Sequence, residues 1–303
     1  MRLQKVAHLF AQLGEARCQP VKATALERAG VYLTVKRDDL LHPIISGNKW
    51  RKLKHLLLFI EAQGYRKIAS MGGRHSNLLH SLSYLAHCLG WQAQLFVRGY
   101  SQQTLTPTLI DATRWGASLT MVAHGAFREL RNRPPQLDKD TFWIGEGGYN
   151  QLALNGTVES LMELSQSYDY LVTAAATGTS LAGYCQGVSQ LGLNSQVIGI
   201  PVLKNDSEIS EHLRALAGDR AAASIIRGYE FGGFAKTNEI LSTFIQSFEK
   251  SHGIPLEPIY SGKSFYAVMD LVDKRYFPRG SKILLIHCGG LQGKRSQTVQ
   301  SAS

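Results

Sequence analysis

The 303-residue chain is poor in the features that would place it outside the folded, water-exposed proteins. Its four cysteines, Cys18, Cys88, Cys185 and Cys288, are scattered with no CxxC pair. That spacing excludes a disulfide-rich scaffold and a thiolate metal site. No stretch approaches the ~18 apolar residues a bilayer-spanning helix needs, so no membrane role is expected. The N-terminal MRLQKVAHLFAQLG lacks the unbroken apolar core of a signal peptide, which with the scattered thiols sets the expectation of a reduced, cytoplasmic protein. Repeats and low-complexity segments are absent. With 44% hydrophobic and only 18% charged residues the chain is not disordered, and 29 Gly with 9 Pro exclude a fibrous pattern.

Acidic residues are in short supply, 23 against 33 Lys and Arg, leaving a net charge of +10. Such a balance can signal nucleic acid or an anionic membrane surface. Its distribution argues otherwise. Residues 1–64 hold 11 basic and 5 acidic side chains and residues 274–303 hold 6 and none, whereas the 209 residues between hold 16 and 18. The excess sits at the two ends rather than in one patch, so small anions are the expected partners and polyanions are not.

What remains is a regular alternation. Apolar runs at 67–73, 93–99, 118–125, 142–148, 170–178, 196–202 and 282–290 predict strands. Amphipathic segments at 49–63, 76–89, 105–116, 151–167, 180–191, 207–217, 237–252 and 263–274 predict helices. This spacing argues an α/β protein with a mostly parallel sheet, and the length allows about two domains. Most runs end in Gly or a small residue, where open α/β sheets place ligand loops.

Three of those loops carry chemistry. In RDDLLHPIISGNKWRKLKHLL (37–57), Lys49, Arg51, Lys52 and Lys54 crowd the first turns of a helix, the end where the macrodipole disfavours cations. Either this is a solvated basic face, or a nearby anion offsets the repulsion and one lysine serves as a nucleophile toward a carbonyl. In SMGGRHSNLLHSLSYLAHCLGW (70–91), the Ser76-Asn77 pair opens a helix, as a plain cap or as a receptor for a carboxylate. His75 and His80 have no third ligand at suitable spacing, so no metal is expected. In VTAAATGTSLAGYCQG (172–187), small residues and hydroxyls precede a helix, as a tight turn or a phosphate cradle. The segment is neither a Walker A loop nor a full dinucleotide fingerprint.

Taken in order, these segments resemble the pyridoxal-phosphate (PLP) enzymes of fold type II, the tryptophan synthase β-like class. The nearest branch is that of D-cysteine desulfhydrase and 1-aminocyclopropane-1-carboxylate (ACC) deaminase. The family's GGNKxRKLE segment matches Ser46-Gly47-Asn48-Lys49-Trp50-Arg51-Lys52-Leu53-Lys54, and its SN pair matches Ser76-Asn77. EGGxN matches 146–150, the phosphate loop matches Ala176 to Ser180, Y-[TE]-GK matches 260–263, and H-T-G-G matches His287-Cys288-Gly289-Gly290. The likeness spans roughly 35–295.

The resemblance implies two α/β domains, a small one over 50–160 and a large one combining 1–49 with 161–303, with the cofactor between them and a homodimer as the assembly. It implies that Lys49 forms the Schiff base with PLP and moves the α-proton, that Ser76 binds the substrate carboxylate or assists, and that Tyr260 flanks the substrate. Asn77 would meet the cofactor's phenolic oxygen, Ala176, Thr177, Gly178, Thr179 and Ser180 its phosphate, and Ser261 and Cys288 the region of its ring nitrogen.

Departures from the pattern are informative. Where ACC deaminases have Glu after the tyrosine, this chain has Ser261, and the family's Thr is Cys288. With no carboxylate in line, a neutral ring would be a poorer electron sink, which suits β-elimination better than cyclopropane opening. Leu78 replaces a polar residue, and Phe234 stands where a second tyrosine falls, so a hydroxyl is missing unless Tyr229 supplies it. The reading is therefore a PLP-dependent lyase of a small amino acid, D-cysteine first, giving 2-oxo acid, ammonia and sulfide. ACC deamination is the alternative, and a PLP-binding protein with degraded catalysis is the alternative of another class.

Overall fold

The computed structural model describes residues 5–45, 47–204, 207–218 and 222–295. The Ser-ending C-terminal segment GKRSQTVQSAS (293–303), which its composition would leave loose, is described only as far as Arg295; its remainder lies outside the described residues. In chain order the strands are β1 (Cys18–Val21), β2 (Tyr32–Lys36), β3 (Lys67–Gly72), β4 (Gln92–Arg98), β5 (Ser118–Val122), β6 (Thr141–Ile144), β7 (Tyr170–Ala175), β8 (Gln196–Pro201), β9 (Ala223–Ile225) and β10 (Lys282–Ile286). The helices are α1 (Lys5–Ala11), α2 (Thr24–Ala29), α3 (Asn48–Ala62), α4 (Asn77–Leu89), α5 (Pro107–Arg114), α6 (His124–Asn132), α7 (Leu152–Met162), α8 (Thr179–Gln190), α9 (Ser207–Ala217), α10 (Glu239–His252) and α11 (Ser261–Asp273).

The strands form two sheets, one of six in the order β1-β2-β10-β7-β8-β9 and one of four in the order β5-β4-β3-β6. Every pairing is parallel except β1 with β2, where Cys18 faces Lys36. Parallel strands are covered on both faces, and the sequence shows it: YLVTAA of β7 and KILLI of β10 are buried beyond their first residue. The mostly parallel α/β arrangement expected from the alternation is therefore present. Elements that the alternation did not reveal are α1, α2, α6, β1, β2 and β9. They are short or weakly patterned: α6 buries only Phe127, and β1 is an edge strand carrying Pro20.

Leucines and isoleucines of α3 and α4 (Leu53, Leu57, Ile60, Leu79, Leu82) pack with Ile68 of β3 and Leu95 of β4 in one core. Val35, Val172, Ile198, Phe265 and Ile283 belong to a second, on the six-stranded sheet. Helix α7 joins these halves by packing against both α3 and α8. Small residues make the approach possible. A Cβ on Gly156 of α7 would overlap the Arg51 carbonyl of α3, and one on Gly183 of α8 would lie 2.6 Å from Thr157 of α7. The loops after β3, β7 and β10 consequently converge at the carboxyl ends of the two sheets, where α/β proteins bind ligands. Among the described residues no helix is long and apolar enough to cross a membrane.

Candidate active site

The converging loops enclose a cleft with about 900 Å³ of free space, its solvent mouth included. Of the residues singled out from sequence, Lys49, Ser76, Asn77, Ala176, Thr177, Gly178, Ser180 and Tyr260 line it together. Thr179, Ser261 and Cys288 lie behind this lining, all buried.

Lys49 arrives there through an unusual helix start. Gly47, at φ +66°, has no room for a side chain, because a Cβ would overlap the Cys288 carbonyl. That carbonyl accepts from Asn48 N at 3.2 Å, and Gly47 N donates to Asp38 O at 2.9 Å. The basic run that follows is not a solvated face: Lys49, Arg51 and Lys52 are buried. Arg51 is answered by Asp38 (3.0 Å) and by both oxygens of Glu163 (2.5 and 2.7 Å), and Lys54 by Glu159 at 2.6 Å. Lys49 and Lys52 meet no carboxylate among the described residues. Lys49 Nζ donates to Asn48 Oδ1 at 2.9 Å and Lys52 Nζ to the Gly147 carbonyl at 3.0 Å. Burial pulls Lys49 down to about 8, against a smaller opposing pull from Cys288, so neutral amine is accessible near neutral pH. Burial, with the charge of Lys49 beside it, drives Lys52 down as well.

Opposite the lysines, the phosphate-loop candidate is fixed from outside. His212 Nδ1 donates to the Thr177 carbonyl at 2.7 Å, and Thr177 and Thr179 hydroxyls lie 3.2 Å apart. Gly178 caps α8, whose free N–H groups and dipole favour an anion. The Ser180 hydroxyl is buried there without a hydrogen-bond partner among the described residues. A buried, unsatisfied hydroxyl costs about 1–3 kcal/mol, which an incoming acceptor would recover.

On the third side Ser76 caps α4, its Oγ accepting from Leu79 N at 3.3 Å. Asn77 is oriented by Gln292, whose Nε2 donates to Asn77 Oδ1 at 2.6 Å while its own Oε1 accepts from Thr108 at 2.7 Å. Gln292 carries no motif and went unnoticed in the sequence; only the tertiary contact reveals it. The Cys288 segment is held by His287, whose Nδ1 accepts from Gly289 N at 3.1 Å while Nε2 donates to the Pro255 carbonyl at 2.7 Å. Those partners define the neutral tautomer, and burial lowers the ring's affinity for a second proton. Cys288 Sγ lies 3.3 Å from Thr173 Oγ1 and burial pushes its thiol up.

One open question about the departures is answered and one expectation needs correction. Tyr229 does not supply a hydroxyl to the cleft, because its OH donates to Asp270 at 2.5 Å, outside the lining. Phe234 does line it, edge-to-face with Tyr260 at 5.9 Å. Nor is Ser261 remote from a carboxylate. Glu257, fully buried, accepts from the backbone N–H groups of Ile259, Tyr260 and Ser261 at 2.7–2.8 Å, and Ser261 Oγ lies 3.2 Å from Glu257 Oε1. Burial raises this carboxyl. With no pattern around Glu257, the sequence offered no signal for it. Burial, then the charge of Glu257, also raises the Tyr260 phenol.

Around the mouth, Arg131 of α6 binds Glu146 at 2.6 Å and reaches Glu208 on α9, an ion pair that spans the two sheets. Asn150, the end of the EGGxN stretch, accepts from Leu152 N at 2.8 Å and so starts α7 rather than lining the cleft. His80 is engaged by Asp111 at 3.0 Å. Among the described residues no cluster of three His, Cys, Asp or Glu side chains could hold a metal.

A buried lysine amine, a second buried lysine that meets no carboxylate among the described residues, and an anion cradle at one cleft suit a phosphorylated carbonyl compound. A family model for pyridoxal-phosphate dependent enzymes matches residues 11–289, and the chain belongs to that family. Its cofactor is pyridoxal 5'-phosphate, and the two-sheet fold is that of fold type II. A Pyrococcus horikoshii protein named "Putative 1-aminocyclopropane-1-carboxylate deaminase" is 29% identical over 282 residues, covering 87% of this chain and 86% of its own. A Thermotoga maritima protein of the same name is 25% identical over 295 residues, covering 90% and 93%. The crystal structure of an ACC deaminase homologue superposes with a TM-score of 0.82 at 26% identity, covering 99% of each chain. The residues present fit the cofactor: the orphaned Ser180 hydroxyl and Lys52, which meets no carboxylate among the described residues, would take a phosphate, and the buried Lys49 amine an aldehyde.

Proposed function

We propose that this enzyme is a PLP-dependent deaminase or lyase converting a small amino acid to a 2-oxo acid and ammonia. The observation that carries the proposal is Lys49, a buried amine pulled down to about 8 that meets no carboxylate among the described residues, in the same cleft as the unsatisfied Ser180 hydroxyl. PLP supplies an aldehyde that takes up amines and a ring that accepts electrons from the substrate's Cα. The chain supplies the rest. Lys49 would hold the aldehyde and would move the proton at the substrate's Cα. Residues 176–180 would bind the phosphate, and Lys52 would offset its charge. Asn77, steadied by Gln292, binds the phenolic oxygen; Ser76 and the start of α4 take the substrate carboxylate; Tyr260 and Phe234 wall the substrate from water. Residues 50–160 form the smaller domain and 1–49 with 161–303 the larger, a division supported by strands β3–β6 lying at 67–144. The working unit is a homodimer.

For the substrate, the names of the relatives and the carboxylate of Glu257 behind Ser261 favour ACC, opened to 2-oxobutanoate and ammonia. The absence of a direct Glu at Ser261 and the Cys288 thiol keep D-cysteine elimination as the second reading. Purified enzyme given each compound decides: 2-oxobutanoate from ACC without sulfide from D-cysteine supports the first, the reverse supports the second. Amino-acid binding with turnover of neither would mark a catalytically degraded protein and overturn both.

A further inference from the structure

We propose that Lys263 is a positioning residue that sets the aromatic wall of the substrate site by anchoring the turn that carries Phe234. This rests on the PLP reading of the cleft. Lys263 is completely buried in the first turn of α11, three residues after Tyr260. Its ammonium meets no carboxylate within ion-pair distance among the described residues. Instead Nζ donates to two carbonyls of one turn, Glu230 O and Gly233 O, each at 2.7 Å. Two charge-assisted bonds to backbone fix a turn far more firmly than water would.

The turn needs fixing. Phe231 (φ +48°), Gly232 (+89°), Gly233 (+109°) and Ala235 (+56°) all lie in the left-handed half of conformational space. Non-glycine residues stay there only when their surroundings hold them. From the middle of this run Phe234 reaches into the cleft, 5.9 Å from the Tyr260 ring. Its Cε1 would lie 3.8 Å from a Cβ on Gly73, at the mouth of the Ser76 loop. Tyr260 adjoins the N-terminus of α11, and the same helix, through Lys263, holds Phe234. One helix therefore positions both aromatic faces. Burying an ammonium with no ion pair among the described residues is expensive, and burial lowers Lys263 to about 8 against the smaller opposing pulls of Glu257 and Glu230. A methionine would fill the space at less cost, so the charge is retained for what it holds.

The test is a double-mutant cycle with Lys263→Met and Phe234→Ala, together with hydrogen exchange of residues 228–236. Lys263→Gln, which keeps two N–H donors on a shorter arm, stands in if the methionine variant does not fold. Each single variant is expected to raise KM about tenfold with PLP affinity within about twofold, and the double variant to be no worse than either single one. Lys263→Met is expected to lose exchange protection in 228–236 while β7 and β10 keep theirs. Additive effects on KM, an unchanged KM, or a parallel loss of PLP affinity would overturn the proposal. The exchange measurement needs no cofactor, so it judges the anchor even if the PLP reading itself fails, which absence of cofactor absorbance in the wild type would show.

Discussion

Lys49 can react with an aldehyde only as a free amine, and burial makes that form available well below the pH at which an exposed lysine would offer it. Because its affinity for the proton is lowered to about 8 rather than 10.5, uptake of PLP by the apoenzyme should accelerate as pH rises from 7 to 9, levelling above it. A stopped-flow pH profile checks this, and a midpoint near 10.5 would show that Lys49 is not desolvated. The same depression bears on stability. Between about 8 and 10.5 the unfolded chain binds a proton at Lys49 that the folded one has lost, so its contribution to apoenzyme stability rises with pH across that window. Ser180→Ala should weaken PLP binding roughly 10–100-fold, the loss of one hydrogen bond to a charged group, with no loss of apoenzyme stability. Cofactor titration and thermal melts of the apoenzyme read the two effects separately. Lys49, the Ser-Asn pair and the 176–180 loop were legible because their residue types are contiguous and chemically unusual. Gln292 was not, nor was the role of Lys263 beyond its place in the 260–263 match, since both act on residues whose proximity only the fold creates; Glu257 was not, because no residue pattern marks it.

At the scale of elements, the alternation of apolar runs with amphipathic helices revealed most of both sheets because parallel strands bury both faces. It could not reveal that the runs divide into two sheets, since strand order is set by crossover packing and leaves no local mark. Nor could it find α6, whose single buried side chain is Phe127, although this helix carries Arg131 to the cleft mouth. The contact between α3 and α7 places the lysine helix, and Gly156 decides how closely it can approach. Gly156→Ala forces a methyl into the Arg51 carbonyl, where only backbone can give way. We expect a loss of about 2–3 kcal/mol in urea unfolding and weaker PLP binding. A loss under about 0.5 kcal/mol would mean the helices have slack that the structure does not show.

For the whole molecule, the junction of the two halves is ionic as well as apolar. Asp38, fully buried after β2, faces Arg51 of α3 at 3.0 Å and Lys36 at 3.2 Å, and Glu163 after α7 completes the group at 2.5–2.7 Å. Removing one buried partner strands the others, so Asp38→Ala should cost about 3–5 kcal/mol and loosen the lysine helix. Chemical denaturation with cofactor titration tests it; a neutral variant would show that water reaches the network. Much of the N-terminal charge excess is thus bound up in this junction and in the cleft.

Lys49 is the residue proposed to hold the cofactor, and a second buried lysine, Lys52, lines the same cleft. Purified protein incubated with PLP should gain absorbance near ~410–430 nm. Borohydride reduction of that sample, followed by peptide mapping, locates the attached group. The group is expected on Lys49, with the band lost in Lys49→Ala; attachment to Lys52, or a band that survives the Lys49 substitution, would show that Lys49 does not hold the cofactor.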